Sequence, residues 1–361
     1  LAIGLSLLLP LGLLIHDLVR RRAMRLASTA LERGLDSPGA NIRPDQQAEI
    51  AAMQAEFRKA LHNLKTSRLA AGGKDALAAL PWYVIIGPPG AGKTTALRNS
   101  GLPFPYAKGG RVKGVGGTRN CDWWLTNQAV ILDTAGRWAT RDDDREEWLA
   151  FLDLLAQTRP QKPVNGILVA VSATDLQGDS EDISNLARAL RERIDEVMGR
   201  LDMVVPVYLL VTKADLLAGF VETFSDLRDK ERGQIWGATL PLLANPTERI
   251  ELLDGHLDEL IELVEQRALA RMYDERRVDA RFAIFAFPKQ VREIKQALVE
   301  LSAELFADNV YQDAPILRGI YFTSGTQEGR PLERIMRSMA QSFGLTMRSE
   351  APDVGKPKSY F

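Results

Sequence analysis

Short apolar runs alternate with longer helical patterns from about residue 80 onward. Apolar runs bounded by polar or glycine-bearing segments are typical of buried strands, whereas the segments between them have the spacing of helices. The candidate strands are residues 82–86, 129–132, 166–171, 205–211, 282–287 and 319–322. Runs in the middle of this series are apolar on both faces, which is typical of central strands in a parallel sheet. The pattern predicts an α/β fold, a mostly parallel sheet covered by helices.

Helical patterns precede and interrupt the predicted sheet. Residues 24–69 are rich in helix-forming residues and are broken by a Ser-Pro-Gly turn at 37–39, which predicts a helical hairpin. Residues 216–277 contain no strand-like run and are longer than one crossover needs, so we expect a helical insertion at about 216–280. The predicted divisions are a truncated transmembrane helix at 1–19, a hairpin and linker at 20–75, the α/β domain at 76–345, and a tail or further region at 346–361.

The first fifteen residues carry no charge and are followed by a cluster of arginines at 20–22 and 25. As a helix they would span ~22 Å, which is short for a bilayer. The chain begins with Leu, so we expect the membrane helix to start before Leu1. Under the positive-inside rule, the arginines place the following residues in the cytoplasm. The alternative is a buried helix of a globular domain.

Composition and charge exclude few classes of function. Apolar residues make up 45% and charged residues 26% of the 361 residues, and the formal net charge is -1. These values are those of an ordinary globular protein and give no reason to expect nucleic-acid binding. A single cysteine, Cys121, rules out an internal disulfide, and three histidines leave no zinc-type cluster.

The stretch GPPGAGKT after the first strand fits the P-loop pattern G-x-x-x-x-G-K-[ST], and a helical pattern follows it. We expect its backbone N–H groups to bind phosphate oxygens, the Lys93 ammonium to bridge the terminal phosphates, and Thr94 to hold Mg²⁺. The predicted nucleotide-contacting residues are Gly87, Gly90, Gly92, Lys93, Thr94 and Thr95. The alternative is a loop that merely turns a strand into a helix.

A second magnesium ligand is expected at the end of a neighbouring strand. Asp133 ends an apolar run and opens the string DTAG, whose Gly136 would sense the terminal phosphate. A glycine-rich loop at 108–120 contains Thr118, the candidate to reach the magnesium or the terminal phosphate. This loop is otherwise interpreted as a connector. The predicted metal ligands are therefore Thr94, Thr118 and Asp133.

The string Thr212-Lys213-Ala214-Asp215 follows the strand at 205–211 and resembles the guanine-specificity motif. A carboxylate at Asp215 suits the paired donors of guanine and would be left unpaired against adenine, so GTP is favoured over ATP. Helix capping is the alternative role. For the last base contact, segments 287–289 and 323–325 compete, and we favour the second, with Ser324.

Hydrolysis requires a group that orients water, and Gln often follows the glycine of DTAG. Arg137 stands at that position, where it could stabilise charge on the phosphates but could not accept a proton. The acidic run at 142–147 offers carboxylates that could position water, or it is a solvated helix start. Arg137 and Thr118 are the catalytic candidates. Slow hydrolysis and pure binding both remain open.

Read in order, GPPGAGKTT, GVGGTRNCDWW, ILDTAGRW, TKAD and YFTSGTQEG resemble the IcmF/TssM family. The resemblance implies the cytoplasmic part of an inner-membrane component of a bacterial type VI secretion system, oligomeric in the full assembly. It also implies TssL, TssJ and baseplate proteins as partners. Members of the family differ in whether the P-loop is intact; here Gly87, Gly92, Lys93, Thr94 and Asp133 are all present, so we expect a P-loop domain of the small-GTPase kind that is competent to bind nucleotide. Three functional hypotheses follow: a nucleotide-switched docking domain, an energy-transducing NTPase, and a scaffold with an idle P-loop.

Overall fold

The computed structural model describes residues 44–65, 80–104, 121–242, 245–308 and 313–325. The predicted membrane helix, the loop that contains Thr118 and the region after residue 325 lie outside the described residues. Within the part described, no helix is both long and apolar enough to cross a membrane.

A mixed, mostly parallel sheet forms the centre of the molecule. Among the described residues the sheet has seven strands in the order β2-β3-β1-β4-β5-β7-β6. They are β1 (Trp82–Ile86), β2 (Cys121–Leu125), β3 (Val130–Thr134), β4 (Gly166–Ser172), β5 (Pro206–Thr212), β6 (Trp236–Thr239) and β7 (Ile316–Phe322). The five inner strands are parallel, and the two edge strands, β2 and β6, pair antiparallel with their neighbours. The predicted α/β class is confirmed at this level.

One described helix precedes the first strand, and the others lie between consecutive strands along the chain. They are α1 (Pro44–Lys65), α2 (Lys93–Asn99), α3 (Arg137–Thr140), α4 (Arg145–Thr158), α5 (Ser180–Leu201), α6 (Phe220–Phe224), α7 (Asp229–Arg232), α8 (Pro246–Asp274) and α9 (Val278–Leu305). Local chemistry fixes several ends. The Asp179 carboxylate accepts from the Asp182 amide at the start of α5, and Asn245 caps α8, where Pro246 is the first helical residue.

The two faces of the sheet bury different clusters. Val84 and Ile86 of β1 belong to the larger cluster, which includes buried residues of α4, α5, α8 and α9. Ile85, between them, joins a smaller cluster with Leu97 of α2. This alternation follows from the two-residue period of a strand, and it explains why the inner strands are apolar on both faces. It also holds α2, and the loop before it, against the opposite face from the long helices.

The strand prediction at 282–287 was wrong, because these residues lie within α9. Buried residues in this helix recur at Ala280, Ile284, Phe287 and Val291, the spacing of a helical face. Exposed Phe282 and Phe285 fill the gaps in that spacing and create the continuous apolar run that suggested a strand. Two strands were missed. The four-residue β6 lies inside the expected helical insertion, and β2 carries Asp122 in its short apolar run.

Candidate functional site

A cavity of about 630 Å³ lies where the segments after β1, β3, β5 and β7 meet. The carboxyl ends of parallel strands share one edge of a sheet, so these segments converge although they are far apart in sequence. The predicted site residues that line it are Gly90, Gly92, Lys93, Thr94, Thr95, Gly136, Arg137, Thr212 and Lys213. Four others, Gly87, Asp133, Asp215 and Ser324, do not line the cavity. Thr118 lies outside the described residues.

The glycine-rich loop, residues 87–94, requires glycine at three positions for identifiable reasons. Gly90 and Gly92 both have φ of +79°, a left-handed conformation that side-chain-bearing residues rarely adopt. At Gly87 the reason is also steric, because a Cβ would lie 2.2 Å from the Ala170 carbonyl oxygen of β4. The motif glycines therefore shape the loop and let it pack directly on the sheet.

Lys93 is buried in the wall of the cavity, with 6% of its surface exposed. Its ammonium donates hydrogen bonds to the carbonyl oxygens of Gly87 at 2.7 Å and Pro88 at 3.2 Å. Burial lowers the pKa of Lys93 to about 8, and the nearby Asp133 carboxylate opposes this shift. A buried cation interacts strongly with any negative charge that enters the cavity, because little water screens it.

Thr94 and Asp133 are in direct contact. The Thr94 hydroxyl donates to Oδ2 of Asp133 at 2.5 Å, and Asp133 is completely buried. The parallel pairing of β1 with β3 places Asp133 opposite Ile85, whose carbonyl accepts a hydrogen bond from Thr134 at 2.8 Å. The register of two strands therefore brings together a hydroxyl and a carboxylate from positions 39 residues apart.

The segment after β3 packs tightly on the glycine-rich loop. A Cβ at Gly136 would lie 2.6 Å from both Cα and N of Pro89, closer than real Cβ contacts. Glycine is required here by close approach, since the φ of Gly136 is an ordinary -61°. The contact joins the two segments that were predicted to surround the terminal phosphate.

Arg137 lines the cavity, but acidic side chains hold its guanidinium. It donates to Oε2 of Glu147 at 2.6 Å and pairs with Oδ1 of Asp144 at 2.9 Å. Although burial alone would lower it, the pKa of Arg137 is raised by its bonds to Glu147 and by the Asp144 charge. Glu147 is only 4% exposed and also accepts from the indole of Trp138 at 3.2 Å. The acidic run is thus in part an anchor for Arg137, and the interpretation as a solvated helix start was wrong for Glu147.

Thr212, at the end of β5, contacts the glycine-rich loop. Its hydroxyl donates to the Ala91 carbonyl at 2.5 Å, and its Oγ1 would lie 3.2 Å from a Cβ at Gly92. Lys213 follows with φ of +57°, a left-handed conformation that is uncommon for a lysine. Thr212, the first residue of the predicted guanine-specificity motif, therefore stabilises the glycine-rich loop. Lys213, the second, turns the chain along the cavity wall.

Asp215 and Ser324 were predicted to act together, and the structure brings them into contact. The Ser324 hydroxyl donates to Oδ1 of Asp215 at 2.8 Å. Burial raises the pKa of the Asp215 carboxyl, and the bond from Ser324 partly offsets this. The Ala214 amide also donates to the Thr323 carbonyl at 3.2 Å, which ties the two segments together. The competing segment at 287–289 lies inside α9 and supplies no strand end.

Sequence reasoning missed two arginines, Arg98 and Arg141, that line the cavity. Arg98 follows Thr94 by four residues on α2, so helical spacing would have placed both on one side of that helix. Arg141 follows the four-residue α3, and no local pattern marks it. Including Lys93, Arg137 and Lys213, the cavity wall carries five cationic residues. The two missed arginines add positive charge to the wall of the cavity.

The fold and the cavity define the class: a mixed α/β protein with a positively charged cavity at the edge of a mostly parallel sheet. The profile of the IcmF-related N-terminal domain matches residues 141–361. The chain belongs to the IcmF/TssM family.

Comparison with individual proteins agrees with this assignment. The chain is 43% identical over 325 residues to the type VI secretion system component TssM1 of Pseudomonas aeruginosa. The match covers 87% of this chain but only 29% of that relative. A solved structure, the signal recognition particle receptor SRb-GTP/SRX complex from Chaetomium thermophilum, aligns with 73% of this chain and 98% of that one. Its identity of 14% and TM-score of 0.30 are too low to define a shared fold.

Proposed function

We propose that this chain is the nucleotide-binding part of a type VI secretion component. In this proposal the domain has a P-loop fold of the small-GTPase kind and binds GTP, or ATP, with Mg²⁺. Nucleotide binding changes the order of the segments around the cavity and thereby the affinity of the chain for other secretion proteins.

One observation carries the proposal: the convergence of Lys93, Thr94 and Asp133 at the glycine-rich loop. A lysine on a loop of this type can neutralise the terminal phosphates, and the left-handed glycines allow close approach of a ligand to the backbone. The Thr94 hydroxyl and Asp133 carboxylate are hard oxygen donors of the kind that Mg²⁺ prefers. In the described residues no three His, Cys, Asp or Glu side chains converge as a metal site. Mg²⁺ would therefore complete its coordination with phosphate oxygens and water, as it commonly does.

The contact between Asp215 and Ser324 supports guanine over adenine. Ser324 occupies one oxygen of the carboxylate, and the bond restricts the orientation of the Asp215 side chain. The remaining acceptor capacity of a carboxylate suits the adjacent N–H donors of guanine, whereas adenine would leave it unpaired. Burial already raises the pKa of Asp215, so an unpaired carboxylate at this position carries an added cost.

The position of Arg137 favours binding over rapid turnover. Its guanidinium is held by Glu147 and Asp144, so it must leave two carboxylates before it can approach a phosphate. Hydrolysis by this chain is accordingly slow, with Arg137 as a charge-stabilising residue and Thr118 as the second catalytic candidate. The energy-transducing alternative requires turnover that this geometry does not favour.

The cellular setting of the proposal rests on the family. We place the chain at the bacterial inner membrane, with this segment in the cytoplasm, in contact with TssL, TssJ and baseplate proteins. Because the chain spans 29% of its relative, these partners and any oligomeric state are proposed from the family alone. The docking role and the idle scaffold differ in one respect: only the first requires nucleotide binding.

The test is a calorimetric titration of the chain with non-hydrolysable GTP and ATP analogues, with and without magnesium. Tighter binding of the GTP analogue, dependent on magnesium, is expected. Lys93→Ala should abolish binding, whereas Lys162→Ala, which changes an exposed lysine outside the cavity, should leave it unchanged. Asp215→Asn should remove the preference for GTP, and Asp133→Asn the dependence on magnesium. Equal binding by the chain and Lys93→Ala would contradict the proposal and favour the idle scaffold.

A further inference from the structure

The end of the hairpin formed by α8 and α9 exposes an unusual number of large apolar side chains. We define the hairpin tip as residues 267–289, which include the last turns of α8 and the first turns of α9. Its exposed apolar residues, with exposed fractions of 66 to 92%, are Leu269, Tyr273, Val278, Phe282 and Phe285. Large apolar side chains grouped on one surface mark an interaction site, whereas single ones do not.

The apolar residues on α9 form a stripe opposite the core. Val278, Phe282 and Phe285 have the spacing i, i+4 and i+7, which places them within ~60° of one another around the helix axis. Ala280 and Ile284, the buried residues of the same turns, lie on the other side of the helix. Both sides of the helix are therefore apolar here, and burial in the core accounts for only one of them.

The outward stripe ends abruptly. Continuing along the same face, the next residues are Lys289, Glu293 and Gln296, all exposed. The rest of α9 thus has the polar outer face expected of a helix on the surface of a domain. The change from apolar to polar is confined to the tip, so the stripe is a local feature.

The tip is also cationic. Between residues 267 and 289 there are six basic residues and three acidic ones, an excess of positive charge in a chain whose net charge is -1. Two of the basic residues, Arg267 and Arg271, pair with Asp226 outside the tip, and the Glu275 carboxylate also pairs with Arg271 and Arg277. Arg276 and Arg281 are exposed beside the apolar stripe. Exposed aromatic residues flanked by arginines are the composition of helices that lie in the interface of an anionic bilayer.

We propose that the hairpin tip binds the surface of a membrane that contains anionic lipids. The aromatic side chains enter the boundary between headgroups and acyl chains, and the arginines contact lipid phosphates. Charge complementarity favours an anionic lipid surface, because the exposed aromatic side chains of α9 lie beside the exposed Arg276 and Arg281. The inference concerns a surface remote in sequence from the cavity segments and does not depend on nucleotide binding.

The test uses a local probe, since the apolar residues at 1–15 could attach the chain to vesicles by themselves. In a Cys121→Ala background, Phe282→Cys is labelled with a fluorophore whose emission rises in an apolar environment, and Gln296→Cys on the same outward face is labelled as the control. Vesicles of phosphatidylcholine are compared with vesicles that contain about a third phosphatidylglycerol. Circular dichroism checks that the labelled chains remain folded.

We expect emission at residue 282 to rise at least twofold with the anionic vesicles, with protection from an aqueous quencher, and the signal at 296 to stay constant. Arg276→Glu with Arg281→Glu should lower apparent vesicle affinity at residue 282 at least tenfold. An unchanged signal at 282 with anionic vesicles would overturn the proposal, as would an equal rise with neutral vesicles. A rise with poly-glutamate in the absence of lipid would instead assign the surface to an acidic protein partner.

Discussion

The lowered pKa of Lys93 predicts that the chain takes up protons when it binds nucleotide. The side chain is almost completely buried, and burial lowers its pKa to about 8 from an ordinary value of 10.5. A phosphate chain in the cavity supplies the negative charge that favours the ammonium form, which returns the pKa toward or above its ordinary value. Nucleotide binding should therefore be accompanied by proton uptake at Lys93.

The magnitude follows from the titration of a single group. With a pKa of about 8, Lys93 is roughly half deprotonated at pH 8 and roughly nine-tenths deprotonated at pH 9. Binding should thus take up about half a proton at pH 8 and about 0.9 at pH 9. The affinity should fall as pH rises above 8, approaching tenfold for each pH unit. Nucleotide phosphates are already ionised in this range and contribute little.

The assay is titration calorimetry with the GTP analogue and magnesium, at pH 8 and pH 9, in two buffers that differ in enthalpy of ionisation. The dependence of the observed binding enthalpy on the buffer gives the number of protons exchanged. Lys93→Arg is the matched control, because arginine keeps the charge but does not titrate in this range. Proton release, or no exchange at pH 9 by a chain that binds nucleotide, would refute the reasoning.

The stability of the chain without nucleotide should also depend on pH. The pKa of Lys93 is lowered on folding, so between about pH 8 and 10.5 the unfolded state binds more protons than the folded state. Stability then rises with pH across that window, since deprotonation relieves the cost of burying a cation. This contribution is opposite in sign to that of a lysine which gains a partner on folding.

Three further substitutions, and a fourth that serves as a control, test contacts within the fold, each by urea denaturation. Gly136→Ala should destabilise the chain by about 1–3 kcal/mol, because its Cβ would meet the Pro89 backbone at 2.6 Å. Gly255→Ala is the control: Gly255 lies within a helix, and an added Cβ would meet no other part of the molecule within 4 Å, so this change should stabilise the chain by about 0.5–1 kcal/mol. Thr212→Val should cost about 1–3 kcal/mol, since it leaves a buried carbonyl unpaired. Ser324→Ala should cost about 1–2 kcal/mol and raise the pKa of Asp215 further, which NMR titration would measure. Equal stabilities of the two glycine variants would contradict the packing argument.

Local sequence motifs predicted those residues of the candidate site that lie in one short loop or at the end of a strand. Lys93 and Thr94 follow from the spacing of one loop, and Asp133 follows from an apolar run that ends in an acid. The partner of Arg137 could not be obtained in this way. Glu147 is one of several acidic residues in the run at 142–147. Only the packing of α4 determines that Glu147 is buried.

The prediction of a strand at 282–287 was wrong, and the structure gives the physical reason. Sequence periodicity assumes that apolar side chains face the core, and in α9 they face both the core and solvent. A helix with two apolar sides gives a continuous apolar run, which a short window cannot distinguish from a buried strand. The misassigned segment is also part of the hairpin tip, where local sequence and burial disagree.

One carboxylate oxygen, Oε2 of Glu147, accepts hydrogen bonds from both Arg137 and the indole of Trp138. Trp138 also lies against Trp148 and Phe151, with ring centroids 5.8 and 5.5 Å away. Indole emission depends on the polarity and hydrogen bonding around its ring. The chain therefore contains its own optical reporter: if Arg137 leaves Glu147 for the cavity, the environment of a native fluorophore changes, and the movement can be timed without attaching a label.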